Sequence, residues 1–438
     1  KMRSERIWGV LVMSFSEWRE VKVSEIGKIV TGKTPKTAIS ENYGGNIPFL
    51  TPSDDMNIKK VKSTARTLSE MGLNSVKNCL LPAKSICVSC IGSVLGKVVL
   101  TSEPTVTNQQ INSIVPDEKF DPDFIYYGMT ILGKHLNYLS KTSTAVPIIN
   151  KTTFSNFSII VPTIEEQKSI AHILSTLDDK IEVNNQINKT LENMAQAIFK
   201  QWFVDFEFPN EEGEPYKSSG GEMFESELGM IPKGWEVKKS SDIANVNIGK
   251  TPPRKEKECF TLDPDDYKWI SIKDLGNSGA YIFDSSEYLT KESIEKYNVK
   301  VVPDNTVVLS FKLTIGRVSI TCGQMTTNEA IAHFNLSNKS KITTEYLYLY
   351  LKGFDYGKLG NTSSIANAVN SKIIKSMPII VPDNKTIKTF SEVMESVFSK
   401  IKYTIKQSDK LIEIRDSLLP KLMSGEIRVP LDEEGIVS

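Results

Sequence analysis

The sequence predicts a mixed α+β chain (α/β globules) with an internal pseudo-two-fold repeat. Two tandem globules are each followed by a long helix, and the two helices pair as an antiparallel coiled coil. Three observations predict this. First, the 438-residue chain is written twice, residues 18–205 recurring as residues 235–427. Trp18 matches Trp235, Gly32-Lys33-Thr34-Pro35 matches Gly249-Lys250-Thr251-Pro252, Thr107-Asn108 matches Thr327-Asn328, and Ile159 to Pro162 matches Ile379 to Pro382. Second, each copy opens with short β-branched runs punctuated by Gly, Pro, Asn and Ser. Third, each copy ends in a long stretch of heptad periodicity.

The elements follow in chain order. Residues 1–13 read as an N-terminal extension, with Met13 the expected start. Residues 14–162 form the first globule, with strands expected at Ile86–Val88, Val98–Leu100, Ile111–Val115 and Ile159–Val161 and a helix over Asp123–Leu139. Residues 163–205 form the central helix, with seam residues Ile170, Leu174, Leu177, Ile181, Leu191, Ala195, Ile198 and Trp202 and with Asn184 and Asn188 in the middle. Val204–Pro209 alternates like a strand, and residues 206–233 form an acidic linker, exposed over 210–230. Residues 234–382 form the second globule, with a helical segment over Glu345–Lys358. Residues 383–425 form the C-terminal helix, with seam residues Phe390, Met394, Val397, Ile401, Leu411, Arg415, Leu418 and Leu422 and with Thr404 and Ser408 in the middle. Residues 426–438 are a tail that repeats the end of the first copy, Glu426–Pro430 standing for Val204–Pro209 and Glu433-Glu434-Gly435 for Glu211-Glu212-Gly213.

At about 1.5 Å per residue, some 33 residues make a helix of roughly 50 Å. Helices with such seams need a partner. A two-fold relation between the copies sets Ile170 against Leu422 and Asn184 against Ser408. Parallel pairing also matches polar to polar, and each helix could instead pack on its own globule, so the seam alone leaves orientation open.

Composition excludes several classes. Five cysteines without framework spacing point to a reducing cytoplasm. Cys87-Val-Ser-Cys90 reads as structural, and three histidines (His135, His172, His333) are too few for a His-based metal or triad site. No apolar run reaches the roughly 18 residues of a membrane span. Gly27 to Thr34 formally matches a P-loop, yet Pro35 opposes the helix that a P-loop requires, and Ala244 replaces the first glycine in the second copy. No methyltransferase or nuclease motif is present, so the chain reads as a binder without catalysis, metal or cofactor of its own. The globules carry more Lys and Arg than acid, whereas residues 203–233 are strongly acidic. This permits nucleic-acid binding by the globules.

Polar loop residues repeated in both copies are the candidates for DNA contact. Copy one offers Lys33, Thr34, Thr51, Ser53, Ser89, Lys97, Asn108, Gln109, Gln110, Ser143 and Thr144. Copy two offers Lys250, Thr251, Arg254, Lys273, Lys312, Thr314, Arg317, Asn328, Ser363 and Ser364. Lys and Arg donate to guanine, Asn and Gln pair with adenine, and Ser, Thr and Lys suit phosphates. Two rival readings remain: a coiled-coil adaptor that never touches DNA, and a P-loop nucleotide-binding enzyme.

These motifs in this order, doubled, resemble the specificity subunit of type I restriction–modification systems. The resemblance rests on Gly-Lys-Thr-Pro after the opening Trp, Ile-Pro-Phe-Leu-Thr at 47–51, Thr-Asn-Gln-Gln-Ile at 107–111, Ser143-Thr144, Glu165-Glu166-Gln167 at the first helix start, Leu177-Asp178, the restart at Ile231–Trp235 and the ending Ser424–Val429. The second copy departs from the family opening at Pro382–Ile387, where Glu-Gln is missing. The resemblance implies two target recognition domains, each reading one half of a bipartite double-stranded DNA target. It implies helices that set the spacer and dock two modification (methyltransferase) subunits holding S-adenosylmethionine. Restriction (translocase/endonuclease) subunits complete the complex in a prokaryotic cytoplasm, with no membrane involved.

Overall fold

β-Branched residues buried on both faces mark the centre of each copy. The computed structural model describes residues 18–142, 148–337, 339–359 and 369–429. The chain divides into two compact units: one runs up to Glu182 and resumes from Asp409, and the other is Val183–Ser408.

In the first unit a five-stranded sheet has the order Gly27–Thr31, Ile111–Pro116, Ile86–Ser89, Val98–Thr101, Lys60–Val61. Its pairs are antiparallel except the last. Ile86–Ser89 is buried at every position, as expected of a strand covered on both faces. A four-stranded sheet has the order Thr67–Leu68, Tyr43–Leu50, Thr105–Thr107, Leu80–Leu81. A two-stranded ladder closes the globule, with Arg19 opposite Val161. The helix Pro122–Thr142 packs on the larger sheet through Phe124, Ile125 and Met129.

The second unit repeats this plan. Its five-stranded sheet has the order Ala244–Ile248, Ile331–Leu336, Val307–Ser310, Val318–Thr321, Tyr281–Ile282. Its four-stranded sheet runs Phe260–Thr261, Tyr288–Leu289, Tyr267–Ile270, Thr326–Thr327. The closing ladder sets Glu236 opposite Val381. The helix Thr344–Gly353 buries Tyr346, Leu347, Tyr348, Leu349 and Leu351, and a short 3₁₀ turn, Tyr356–Leu359, completes the segment read as helical.

The long helices are Ile164–Phe199 and Asn384–Ser424. Each contributes one half to each unit. In the first unit Ile170 and Leu174 from the start of one helix share a core with Leu419, Leu422 and Met423 from the end of the other. Partly buried Leu418 packs against the same core. In the second unit Ala195 and Phe199 share a core with Phe390, Met394, Phe398 and Ile401, and Leu191, Ile198 and Val397 pack against it.

The pairing is antiparallel. Asn184 Nδ2 donates to Ser408 Oγ at 3.2 Å and to Gln407 Oε1 at 3.0 Å. Thr404 Oγ1 donates to Asn188 Oδ1. Arg415 Nη1 meets Asp178 Oδ1 at 2.8 Å in the first unit. The helices also pack on the globules, so mutual pairing and globule packing coexist.

Two expectations need correction. Val204–Pro209 is not a strand: Lys200–Val204 is a wide π-type turn ending the helix. The alternation instead reflects aromatics turning onto Trp235, Phe206 edge-on at 5.7 Å and Phe208 stacked at 5.0 Å. The linker reading of residues 206–233 is corrected only in part: 210–230 is largely exposed, as expected, but the segment carries structure of its own. Tyr216 stacks on Phe208 at 4.6 Å, and Met223–Ser226 pairs with Gly229–Pro232 as a hairpin. The extension 1–13, Pro430 and Glu433-Glu434-Gly435 lie outside the described residues.

Leu422 is 2% exposed within the first unit's core. Leu422→Ala is expected to destabilise that unit by about 2–5 kcal/mol. Urea unfolding followed by tryptophan fluorescence checks this, since Trp18 packs against the same cluster.

Candidate nucleic-acid interface

The repeated Gly-Lys-Thr-Pro segment is where the loops of each globule converge. Gly27–Thr31 is a strand, and no helix follows Thr34, so the P-loop match has no phosphate cradle. Lys33 N donates to Thr107 O at 2.9 Å, Asn108 N to Leu50 O at 3.0 Å, and Thr34 Oγ1 to Gln109 Oε1 at 2.7 Å. A Cβ on Gly32 would stand 2.2 Å from Asn108 O, so only glycine allows this approach.

The second unit repeats each tie. Lys250 N donates to Thr327 O at 2.9 Å and Asn328 N to Ile270 O at 3.0 Å. Thr251 Oγ1 bonds Glu329. A Cβ on Gly249 would stand 2.2 Å from Asn328 O. The following loops join the clusters through Cys90 N to Gln110 O at 2.8 Å and Phe311 N to Ala330 O at 2.9 Å.

The structure sorts the candidates. Lys33, Lys250, Lys273, Lys312, Thr314, Gln109 and Ser53 are exposed, and Thr34, Thr251, Gln110 and Asn328 are half-buried. Among the described residues, no side chain pairs with the ammonium groups of Lys33, Lys250 or Lys273. Lys97 is exposed and donates to Asn57 Oδ1 at 2.7 Å.

Others serve the fold. Ser89 is fully buried and its hydroxyl bonds Val94 O. Thr51 is buried and bonds Asp54 Oδ2 at 2.9 Å. Asn108 is buried, and its Oδ1 accepts from Gln110 N at 3.1 Å. Arg317 Nη1 donates to Ile272 O at 2.6 Å. Arg254 forms a bidentate pair with Glu287 at 2.8 and 2.9 Å, with its guanidinium 4.6 Å from the Trp269 ring centre. Ser143, Thr144, Ser363 and Ser364 lie outside the described residues.

Sequence reasoning did not identify what the other shared motifs do. Trp18 Nε1 donates to Glu166 Oε2 at 3.1 Å, and Trp235 Nε1 to Asp383 Oδ2 at 3.0 Å, both across 148 residues. Arg428 Nε stands 2.8 Å from Glu166 Oε1. Gln167 Nε2 donates to Pro162 O at 3.0 Å while its Oε1 accepts from Asp121 N at 2.9 Å. In the second copy Asp383 alone takes the tryptophan and caps the helix through Lys385 N and Thr386 N. Burial pushes the Asp383 carboxyl up, but hydrogen bonds from Thr386 and Trp235 outweigh it and hold it below its ordinary value. The equal Trp-to-acid spacing was the signal available in the sequence.

A buried charge network supports the first globule. Lys59 Nζ meets Asp123 Oδ1 at 2.6 Å and Ser175 Oγ at 2.7 Å, and Tyr127 Oη donates to Asp178 Oδ2 at 2.5 Å. Burial first, and the Asp178 charge second, raise the Tyr127 phenol well above its ordinary value. It therefore stays a neutral donor.

Residues 15–193 and 232–414 both match the family described as Type I restriction modification DNA specificity domain. The chain is 29% identical over 428 residues to the type I restriction enzyme MjaIX specificity subunit of Methanocaldococcus jannaschii, covering 94% of each chain. It is 26% identical over 473 residues to the HindI specificity subunit of Haemophilus influenzae, covering 94% of this chain and 100% of that one. In fold it resembles the crystal structure of a type I restriction-modification S subunit from M. genitalium, with a TM-score of 0.55, 14% identity, and coverage of 94% of this chain and 98% of that one.

The two clusters differ at one buried position. Thr327 Oγ1 bonds His333 Nε2, whereas register places Ser113 at the equivalent position, and Thr107 Oγ1 has no partner among the described residues. Burial pushes His333 down to about 4. The unfolded state therefore binds the extra proton between its ordinary value near 6.5 and about 4. Stability from this site is full above pH 6.5 and falls as pH drops toward 4. His333→Ser should flatten that slope in urea melts at pH 7 and pH 5.

Proposed function

Since the chain belongs to the type I restriction modification DNA specificity family, we propose that it reads double-stranded DNA for a restriction–modification complex, each globule reading one half of a bipartite target. The observation that carries this is the same polar loop cluster built twice, with Lys33 and Lys250 exposed at matching places. Exposed lysines and polar loop residues position phosphates and read base edges. Fixed backbone ties hold the loops in register.

In this reading the chain is a non-catalytic subunit in a prokaryotic cytoplasm, binding no cofactor. Two modification subunits holding S-adenosylmethionine supply methyl transfer, and restriction subunits supply translocation and cleavage. The paired helices set the spacing of the half-sites and dock the modification subunits. Among the described residues, no helix is long and apolar enough to cross a membrane.

Modularity tests the reading. Replacing residues 18–160 with another family member's first globule should change one half-site and leave the other, as read by methylome sequencing of a host expressing the complex. If both half-sites change together, two independent readers are the wrong description. Lys33→Ala and Lys250→Ala should each weaken binding across all sequences and lower the salt slope of log K by about 1. Fluorescence anisotropy over a salt series checks this on the assembled complex.

A further inference from the structure

The loop Ser310–Arg317 in the second globule carries an apolar side chain where the fold gives it no support. Leu313 is 82% exposed, and its φ is +60°. Thr314 N donates to Lys312 O at 2.7 Å, closing a γ-turn around it. A bulky residue with positive φ in such a turn is strained, and here no burial offsets the strain.

The first globule builds the corresponding loop with glycine at positive φ. Ser89 and Ser310 anchor the two loops alike: Ser89 N bonds Lys97 O and Ser310 N bonds Arg317 O, each at 2.9 Å. Their hydroxyls bond Val94 O and Thr314 O. Three residues after the serine, the first copy has Gly92 at φ +75°, with open space where a Cβ would stand. Three residues after Ser310 the second copy has Leu313, in a loop that is one residue shorter between the serine and its backbone partner.

The loop root bonds Ala330, beside the Thr327–Glu329 turn that holds Lys250 and Thr251. Leu313 is thus displayed next to exposed Lys312 and Thr314, on the cluster assigned to DNA.

We propose that Leu313 is a specificity-determining residue of the second globule, contacting the C5-methyl of a thymine in its half-site. Apolar contact with this methyl is how an aliphatic side chain distinguishes thymine in the major groove. The flanking Lys312 ammonium supplies phosphate attraction without sequence preference. The inference rests on the DNA-reading function proposed above.

The test uses the complex assembled with its modification subunit. Bound DNA is selected from a randomised pool by the unmodified complex, by Leu313→Gly and by Leu313→Asn, both residues that tolerate positive φ. The expected result is a second half-site with one thymine that both variants cease to require, while the first half-site is unchanged. Replacing that thymine by uracil should weaken the unmodified complex about fourfold, the worth of one buried methyl, and leave both variants unaffected. Thermal melts should show both variants at least as stable as the parent, which separates lost recognition from lost folding. Unchanged selection in both variants, or loss of preference at a base other than thymine, overturns the proposal. A parent complex that selects no sequence overturns the DNA-reading function instead.

Discussion

Each globule depends on a helix end that the chain supplies from far away in sequence. Leu419, Leu422 and Met423 complete the core that begins at Val21 and Val23, and Ala195, Phe199 and Phe203 complete the core around Tyr346 and Phe390. The apolar faces of the strands and of the short helices would otherwise stand open to water at about 25 cal/mol per Å². Antiparallel pairing satisfies both globules because each long helix begins beside its own globule and ends in the other's core. The seam is therefore part of two cores at once, and its register is set by them as well as by its own residues.

Polar groups at the seam reinforce that register. Asn184 is fully buried and Thr404 nearly so, and they meet Ser408 and Asn188. Leucines in their place would pack with more stability, but they would fit several registers equally. A shift of one turn would set Asn184 against Leu411 in one direction or Asn188 against Ile401 in the other, at about 1–3 kcal/mol for each unpaired group. Arg415 is the same device with charge. It occupies an expected apolar seam position and finds Asp178, whose other oxygen takes the Tyr127 hydroxyl.

The repeat, the strands and the helix seams were legible in the sequence because burial imposes a period on it. Ile86–Ser89 and Val98–Thr101 fall where β-branched runs stand, and Asn184 meets Ser408 as a two-fold relation requires. Val204–Pro209 misled because aromatics at alternate positions look alike whether they line a strand or fold onto Trp235. The candidate interface was legible as a set of loops but not residue by residue. Ser89 and Ser53 both read as loop serines, yet Ser89 ends a strand with its hydroxyl spent on Val94 O, while Ser53 is exposed. Only the backbone around them decides which, and no local pattern encodes that.

The two copies show how such a frame can change what it recognises. Ties at the loop roots, from Lys33 N and Lys250 N to threonine carbonyls and from Cys90 N and Phe311 N to the next turn, use backbone atoms that any side chain leaves in place. The glycines at 32 and 249 are fixed because a Cβ would strike those same carbonyls. Beyond the roots little is fixed: Gln109 stands where Glu329 does and keeps the same tie, and the loops after Ser89 and Ser310 differ in length by one residue, with Gly92 in one and Leu313 in the other at positive φ. Chemistry at the tips is thereby uncoupled from stability at the roots. Substitutions at exposed tips away from such ties usually move stability by less than about 0.5 kcal/mol, while a changed base contact is worth about 1–3 kcal/mol in discrimination. That difference lets a duplicated globule diverge in what it reads without diverging in how it folds.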